Sequence, residues 1–372
     1  MGKSPLEVSG LPLFFRVGAA DPSLRPSRIP GGIGVRTVAR SLSTMQKEAL
    51  VATGASQAIW RLASDEGPYL LGDDVAPPPL AFFSVGLVTD FAEALQRGAD
   101  SMEGAWTAVR IQLDTRYTMK GSASQGTLRA GALSPELSVE GDLPEERIQE
   151  AVRTASAYGL VRSGLVSRFS LVHNGRPLKV LRVMPADTSV PADPDRLFDQ
   201  AAPAEAPGVV ERDGPTPKTE EDTSYQGSSL AETQDRTLHL QAICTRTPEG
   251  LWHVEQRMYN PRGTIFRFLC DPSGLRAPDP LAYLSAGIAF CFMTQLARFA
   301  KIRRKALRAC RVVQDTGFRA GGDADPVVTH VFLDTDEDDA FAEEILAMGE
   351  QTCFLHALCR TELDVRIRLH AV

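Results

Sequence analysis

The sequence predicts an α+β protein built from two related halves, and three observations predict it. Residues 76–99 recur 201 positions later as residues 277–300, with 11 of 24 positions identical. Each half then runs through one alternation: strand-like pieces, a long apolar helix, strands, a charged helix, a short helix and a closing strand. At 372 residues with 43% hydrophobic side chains, the chain is long and apolar enough for two cores of domain size.

The repeat extends beyond the helix. At the same offset of 201, Arg110, Asp114, Thr115, Tyr117 and Gly121 face Arg311, Asp315, Thr316, Phe318 and Gly322. The offset then becomes 198, so a three-residue length change sits in a loop, and Glu145, Glu146, Leu160 and Arg162 face Glu343, Glu344, Leu358 and Arg360.

Short Val-, Ala- and Ile-containing pieces from Ile33 to Leu62, punctuated by Gly31-Gly32 and Thr53-Gly54, read as strands. Pro77 to Pro79 precede the apolar run Leu80–Leu95, a helix start in which proline loses no needed donor. Strands are expected at Trp106–Gln112 and Gly126–Val139, then a charged helix from Pro144 to Ala155 and a short helix at Tyr158–Arg162. Asn174-Gly175 between alternating runs marks a two-residue hairpin turn. Residues 186–235 turn abruptly to Pro, Ala, Asp, Glu, Ser and Thr and read as a linker or surface excursion.

The second half predicts strands at Leu238–Thr245, Trp252–Met258 and Thr264–Leu269, then a helix over 280–303. Strands Ala309–Phe318 and Val327–Leu333 follow, then the acidic helix Asp338–Gly349, a short helix from Cys353 and the strand Leu363–His370. The expected domains are an extension over 1–32, a first unit over 33–185, a linker over 186–235 and a second unit over 236–372.

A net charge of −7, with no clustered Lys and Arg among aromatics, argues against nucleic acid as a partner. The basic run Lys301-Ile-Arg-Arg-Lys305 reads as the favoured cationic end of a helix. No secretory signal is evident near Met1, and the uncharged run Leu281–Ala297 is short for a membrane span and reads as a buried core helix. Six cysteines without dense spacing do not form a secreted disulfide framework, so a reducing cytoplasm with free or catalytic thiols is expected.

All six cysteines (Cys244, Cys270, Cys291, Cys310, Cys353, Cys359) lie after residue 243. At the centre of the repeated helix the first half has Asp90 where the second has Cys291, and Ala155 faces Cys353. Thiol chemistry therefore belongs to the second half alone. Leu281, Leu284, Ile288, Cys291 and Leu296 fall near one helical face, so the Cys291 thiol points into the core or an interface. A cysteine on such a face is ordinarily a small hydrophobe, and burial without a positive neighbour leaves it inert.

In Glu350-Gln-Thr-Cys353-Phe-Leu-His356, Thr352 occupies an N-cap-like place and Cys353 the first turn of a following helix, where unpaired amides favour a thiolate. His356 lies three residues on, within reach of the thiol, and Glu350 could orient it. An isolated Cys-x-x-His is more often incidental. No Cys/His cluster has zinc spacing and no cofactor motif is evident: Pro30-Gly-Gly-Ile-Gly34 and Gly121–Gly126 read as turns. Asp315-Thr316 and Asp114-Thr115 recur and read as structural, such as strand-end caps, and His330 lacks an evident partner.

Pro280-Leu-Ala-Tyr-Leu284, Gly287 and Cys291, then two strands and an acidic helix leading to Cys353, resemble the OsmC/Ohr family of thiol-dependent proteins. The resemblance spans most of 237–372 and, through the repeat, a degenerate copy over roughly 33–185. It implies two tandem OsmC-like domains forming an intramolecular pseudo-dimer, each with an antiparallel sheet and a long central helix, with thiol sites at their interface. Association of whole chains is a further possibility of the same resemblance. It also implies peroxidase chemistry, with Cys291 oxidised by an organic hydroperoxide and Cys353 resolving it. Two positions depart from the family: Leu281 stands where peroxidase members carry a Glu that acts with an Arg, and Phe354 where proline is common. Arg257, Arg262 and Arg267 are the candidates for that Arg.

Three functions stay open. The first is a redox enzyme using Cys291, Cys353 and a dithiol reductant on organic hydroperoxides. The second is a cysteine hydrolase or transferase acting on a small organic substrate, with His356 or another base activating a thiol. The third is a binding protein whose pocket is lined by Phe82, Phe83, Tyr283 and Phe292. None calls for a metal, a cofactor, nucleic acid or a membrane.

Overall fold

Two glycines at the same place in the repeat set the centre of the molecule. Gly86 and Gly287 lie where the two long helices touch: a Cβ on Gly86 would come 2.5 Å from the Pro280 carbonyl oxygen, and one on Gly287 2.7 Å from the Phe83 amide nitrogen. Only glycine lets the backbones approach so closely. The computed structural model describes residues 4–18, 21–43, 45–56, 58–100, 110–141, 143–218 and 228–370.

In chain order the helices are α1 (Pro5–Val8), α2 (Pro79–Asp100), α3 (Glu145–Thr154), α4 (Tyr158–Arg162), α5 (Asp195–Asp199), α6 (Pro280–Ile302), α7 (Asp339–Thr352) and α8 (Phe354–Arg360). The strands of the first half are β1 (Phe15–Val17), β2 (Gly32–Ser41), β3 (Lys47–Thr53), β4 (Ile59–Ser64), β5 (Arg110–Ser122), β6 (Arg129–Ala132), β7 (Glu136–Glu140), β8 (Arg168–His173) and β9 (Arg176–Leu178). Then come β10 (Pro203–Glu205), β11 (Val210–Pro215), β12 (Thr233–Arg246), β13 (Trp252–Asn260), β14 (Thr264–Cys270), β15 (Leu307–Arg319), β16 (Asp323–Ala324), β17 (Val328–Thr335) and β18 (Arg366–His370). The expected strand at Trp106–Gln112 falls partly on 101–109, outside the described residues.

The expected α+β class is what the structure has. Its strands, however, change sheets. One sheet runs β10-β1-β4-β3-β2-β15-β17-β8-β9 and the other β11-β14-β13-β12-β5-β7-β18. Three strands of one half thus continue into two of the other, and a strand of the first returns to the edge. The two junctions correspond: β2 pairs antiparallel with β15 from Arg40↔Arg311 to Gly32↔Arg319, and β12 with β5 from Cys244↔Ile111 to Thr233↔Ser122. Each sheet also holds one parallel pair, β17 with β8 and β18 with β7, so neither is purely antiparallel. The reason is topological: the long helix carries the chain from one sheet to the other, and the charged helix carries it back beside a strand of the opposite half.

Side-chain bonds repeat as well. Ser84 meets Thr115 at 3.3 Å, and 201 residues on Ser285 meets Thr316 at 3.4 Å. Asp315 and Asp114 are not strand-end caps. They tie the halves together, Asp315 accepting twice from Arg36 at 2.8 Å and Asp114 accepting from His239 at 2.7 Å. His330 has partners after all, in Ser170 at 2.8 Å and Thr188 at 3.3 Å.

The stretch 186–235, expected as linker, adds edge strands to both sheets: β10 pairs β1, and β11 pairs β14. Short exposed strands are difficult to see in a polar, Pro-rich run. The Asn174-Gly175 turn is as expected, both residues having positive φ (48° and 77°) as a type I′ turn demands. Among the described helices, α6 alone is long and apolar enough to cross a membrane, and 94% of that stretch is buried inside the protein. Asp279 caps it, its carboxylate accepting from the Ala282 amide at 3.0 Å and from Thr53 of the first half at 2.7 Å.

Candidate functional site at Cys291 and Cys353

Cys291 sits in the fourth turn of α6, on a helix whose side chains are buried almost throughout. Cys353 forms the corner between α7 and α8. Its extended backbone (φ −74°, ψ 119°) ends the first helix and caps the second. The expectation of Thr352 as cap and Cys353 within the helix is thus displaced by one residue: Thr352 closes α7, its hydroxyl donating back to the Met348 carbonyl at 2.6 Å. Arg360 clamps the corner, bonding Glu350 at 2.8 Å and the Gln351 carbonyl at 3.1 Å.

This corner sets the Cys353 thiol beside the Cys291 thiol, near enough to bear on its ionisation. Both are free, as are the other four cysteines, and all six are buried. The amides of Phe354 and Leu355, first-turn donors of α8, act on the Cys291 sulfur and favour its thiolate. Burial pushes the Cys291 thiol well above its ordinary range, the neighbouring Cys353 thiol pushes the same way, and the two amides oppose both. In the resting protein burial wins, so Cys291 is held as a thiol with thiolate-stabilising donors already in place.

The first half keeps this geometry without sulfur. Asp90, at the Cys291 position, accepts from the Ala157 amide at 2.7 Å, and Ala157 is the counterpart of Leu355. Ala155, facing Cys353, likewise ends a helix in an extended conformation (φ −61°, ψ 140°). Burial raises the Asp90 carboxyl to about 6, offset in part by that amide.

Cys291 opens on a small cavity of about 30 Å³, room for roughly one water molecule. Its wall includes Glu66, Tyr69, Thr294, Arg236, Arg298 and Phe354. Glu66 comes from the first half. Its carboxylate accepts from Tyr69 at 2.7 Å and from Thr294, one turn beyond Cys291, at 3.1 Å. Burial raises its carboxyl above the usual range, against the attraction of Lys47. Lys47 is itself fully buried, which lowers its ammonium, while Glu66, Asp65, Cys291 and Cys310 act to keep it charged.

Arg298 donates from Nε to the Ser229 carbonyl at 2.7 Å, and Arg236 donates to the Ser229 hydroxyl. None of the arginines expected from the sequence lines this cavity. Arg257 pairs with Glu255, Arg267 pairs with Asp213 at 2.6 Å, and Arg262 is exposed in a turn. The arginines of the cavity, Arg236 and Arg298, also belong to the second half, whereas Glu66 and Tyr69 come from the first.

The expected line from Cys353 through His356 to Glu350 is not formed. Glu350 is taken by Arg360, and neither imidazole nitrogen of His356 has a hydrogen-bond partner among the described residues. The ring packs between Phe169 and Phe292, at 5.4 and 5.3 Å, and burial lowers it to about 4. Phe82, Phe83, Tyr283 and Phe292 do not line this cavity. They fill the core, with Phe82 against Phe268 at 5.6 Å and Phe290 at 5.4 Å. No metal-binding group of His, Cys, Asp and Glu occurs among the described residues.

Comparison with curated proteins and with solved structures gives no match. Residues 272–368 match the family model described as OsmC-like protein, a span that holds Cys291, Cys353 and the corner between α7 and α8. By this match residues 272–368 form an OsmC-like segment of the chain.

Proposed function

We propose that the chain is a two-cysteine thiol peroxidase acting on organic hydroperoxides. The observation that carries this reading is the proximity of the Cys291 and Cys353 thiols, with the amides of Phe354 and Leu355 beside the first acting to favour its thiolate. The OsmC-like match over residues 272–368 supports a redox role. The Cys291 sulfur attacks the outer oxygen of ROOH and releases ROH, leaving Cys291–SOH. The Cys353 thiol then displaces water, forming a disulfide, and an external dithiol restores both thiols. Glu66, in the same cavity with a raised carboxyl, is the group suited to take the thiol proton as the thiolate forms.

The halves 33–185 and 236–372 act in this reading as the two members of a pseudo-dimer, one carrying the thiols and the other Glu66. Segments 1–32 and 186–235 serve as additions to the sheet edges. The setting is a reducing cytoplasm, where a dithiol partner is at hand.

Hydroperoxide consumption by the reduced protein, driven by dithiothreitol, tests this directly. Turnover is expected in the wild type and is lost in Cys291→Ser, since a hydroxyl is a far poorer nucleophile. Equal turnover in Cys291→Ser contradicts the reading.

A further inference from the structure

A second cavity, of about 310 Å³, lies between the end of β2, the C-terminal turns of α6 and the start of β15. That is ten times the space at Cys291 and within the range of small-molecule sites. Four cations form part of its wall, Lys47, Lys301, Lys305 and Arg308, and no Asp or Glu does. Opposite them lie Met293, Ala297 and Leu307. The wall is thus cationic on one side and apolar on the other.

Lys47 is 1% exposed, which is costly for an ammonium without acceptors. It has three N–H groups to satisfy, and among the described residues its one hydrogen bond goes to the Met45 carbonyl. Asp65 and Glu66 attract its charge, but neither lines this cavity. Lys305 and Arg308 are paired at the rim with Glu337 at 2.7 Å and Asp336 at 2.6 Å. Lys301 makes no ion pair among the described residues. The hydroxyls of Ser41 and Ser43, also in the wall, accept from the Cys310 and Gln46 amides and so keep a proton each to donate.

We infer that this cavity binds a small organic anion, a carboxylate or phosphate on a short apolar body, with its charge toward Lys47 and Lys301 and its body on Met293, Ala297 and Leu307. The site is separate from the Cys291 cavity, so it stands or falls independently of the peroxidase reading. Calorimetric titration of the full chain with octanoate, octanol and inorganic phosphate tests it. Saturable binding of octanoate to one site, at least about tenfold tighter than octanol, is expected. The same affinity is expected in Cys291→Ser. Lys301→Glu should weaken octanoate binding several-fold, and the milder Lys301→Gln less so, both being exposed changes that leave the fold intact. No octanoate binding up to about 10 mM overturns the inference, as does equal binding of octanol or an affinity unmoved by both Lys301 variants. Binding of phosphate alone, without octanoate, overturns it too, because the apolar wall then plays no part.

Discussion

Thr294 donates a hydrogen bond to Glu66 at 3.1 Å, joining a helix of the second half to a loop of the first, one turn from Cys291. Leu281, next to the start of that helix, has no charge to offer, and a carboxylate enters the cavity from the opposite half.

Glu66→Gln keeps the size of the side chain and removes its charge. Hydroperoxide kcat/KM is expected to fall about 100-fold, with thermal stability changed by no more than about 1 kcal/mol. Steady-state kinetics beside a melting curve separates the two. Unchanged kinetics removes Glu66 from the chemistry.

Asp90 provides a pH test in the half without thiols. Its folded carboxyl is raised from 3.8 to about 6, so the folded chain holds a proton that the unfolded chain gives up between these values. Stability from this group is present below 3.8 and is lost as pH rises through about 6. Asp90→Asn, which can still accept the Ala157 amide, should be more stable than wild type by up to about 3 kcal/mol near neutral pH. The advantage should vanish near pH 4. Denaturant melts at the two pH values measure it, and a destabilised variant at neutral pH shows that the charged bond outweighs burial.

His356 titrates in the opposite sense. Burial lowers it from 6.5 to about 4, so stability is full above 6.5 and is lost as pH falls toward 4. His356→Phe puts a third aromatic ring beside Phe169 and Phe292 and should flatten the acid limb of the stability curve by about 3 kcal/mol. Turnover should persist. Loss of activity in a well-folded His356→Phe favours the hydrolytic alternative.

The helix contact predicts two unequal glycine variants. Gly86→Ala forces a methyl to within 2.5 Å of the Pro280 carbonyl and should cost about 3 kcal/mol or prevent folding. Gly98→Ala, in the same helix, meets only the Ala151 methyl at 3.7 Å and should gain roughly 0.5–1 kcal/mol. Urea melts rank the pair, and equal stabilities contradict the central crossing. Expressed alone, either half would expose this face and should be insoluble.

Much of this was legible in the sequence because it is periodic or local. The repeat, both long helices, the Asn174-Gly175 turn and the corner at Cys353 each leave a signal within a short window. The exchange of strands between sheets leaves none, since β2 reads the same whether it pairs with its own half or with β15. Lys47, Glu66, Arg236 and Arg298 were missed for that reason: each is a charged residue buried by distant partners, where a window of sequence predicts a solvated one. The one available hint was Asp65-Glu66 directly after the apolar strand β4. His356 was overvalued because sequence spacing does not show what the ring packs against.

Peptide mapping of the protein after one equivalent of an organic hydroperoxide tests the central claim most directly. The account predicts loss of two thiols and a single disulfide joining the Cys291 and Cys353 peptides, and in Cys353→Ser a trapped sulfenic acid on Cys291 with turnover stopped. Intact thiols at both positions after peroxide, or oxidation confined to Cys244, Cys270, Cys310 or Cys359, would contradict it.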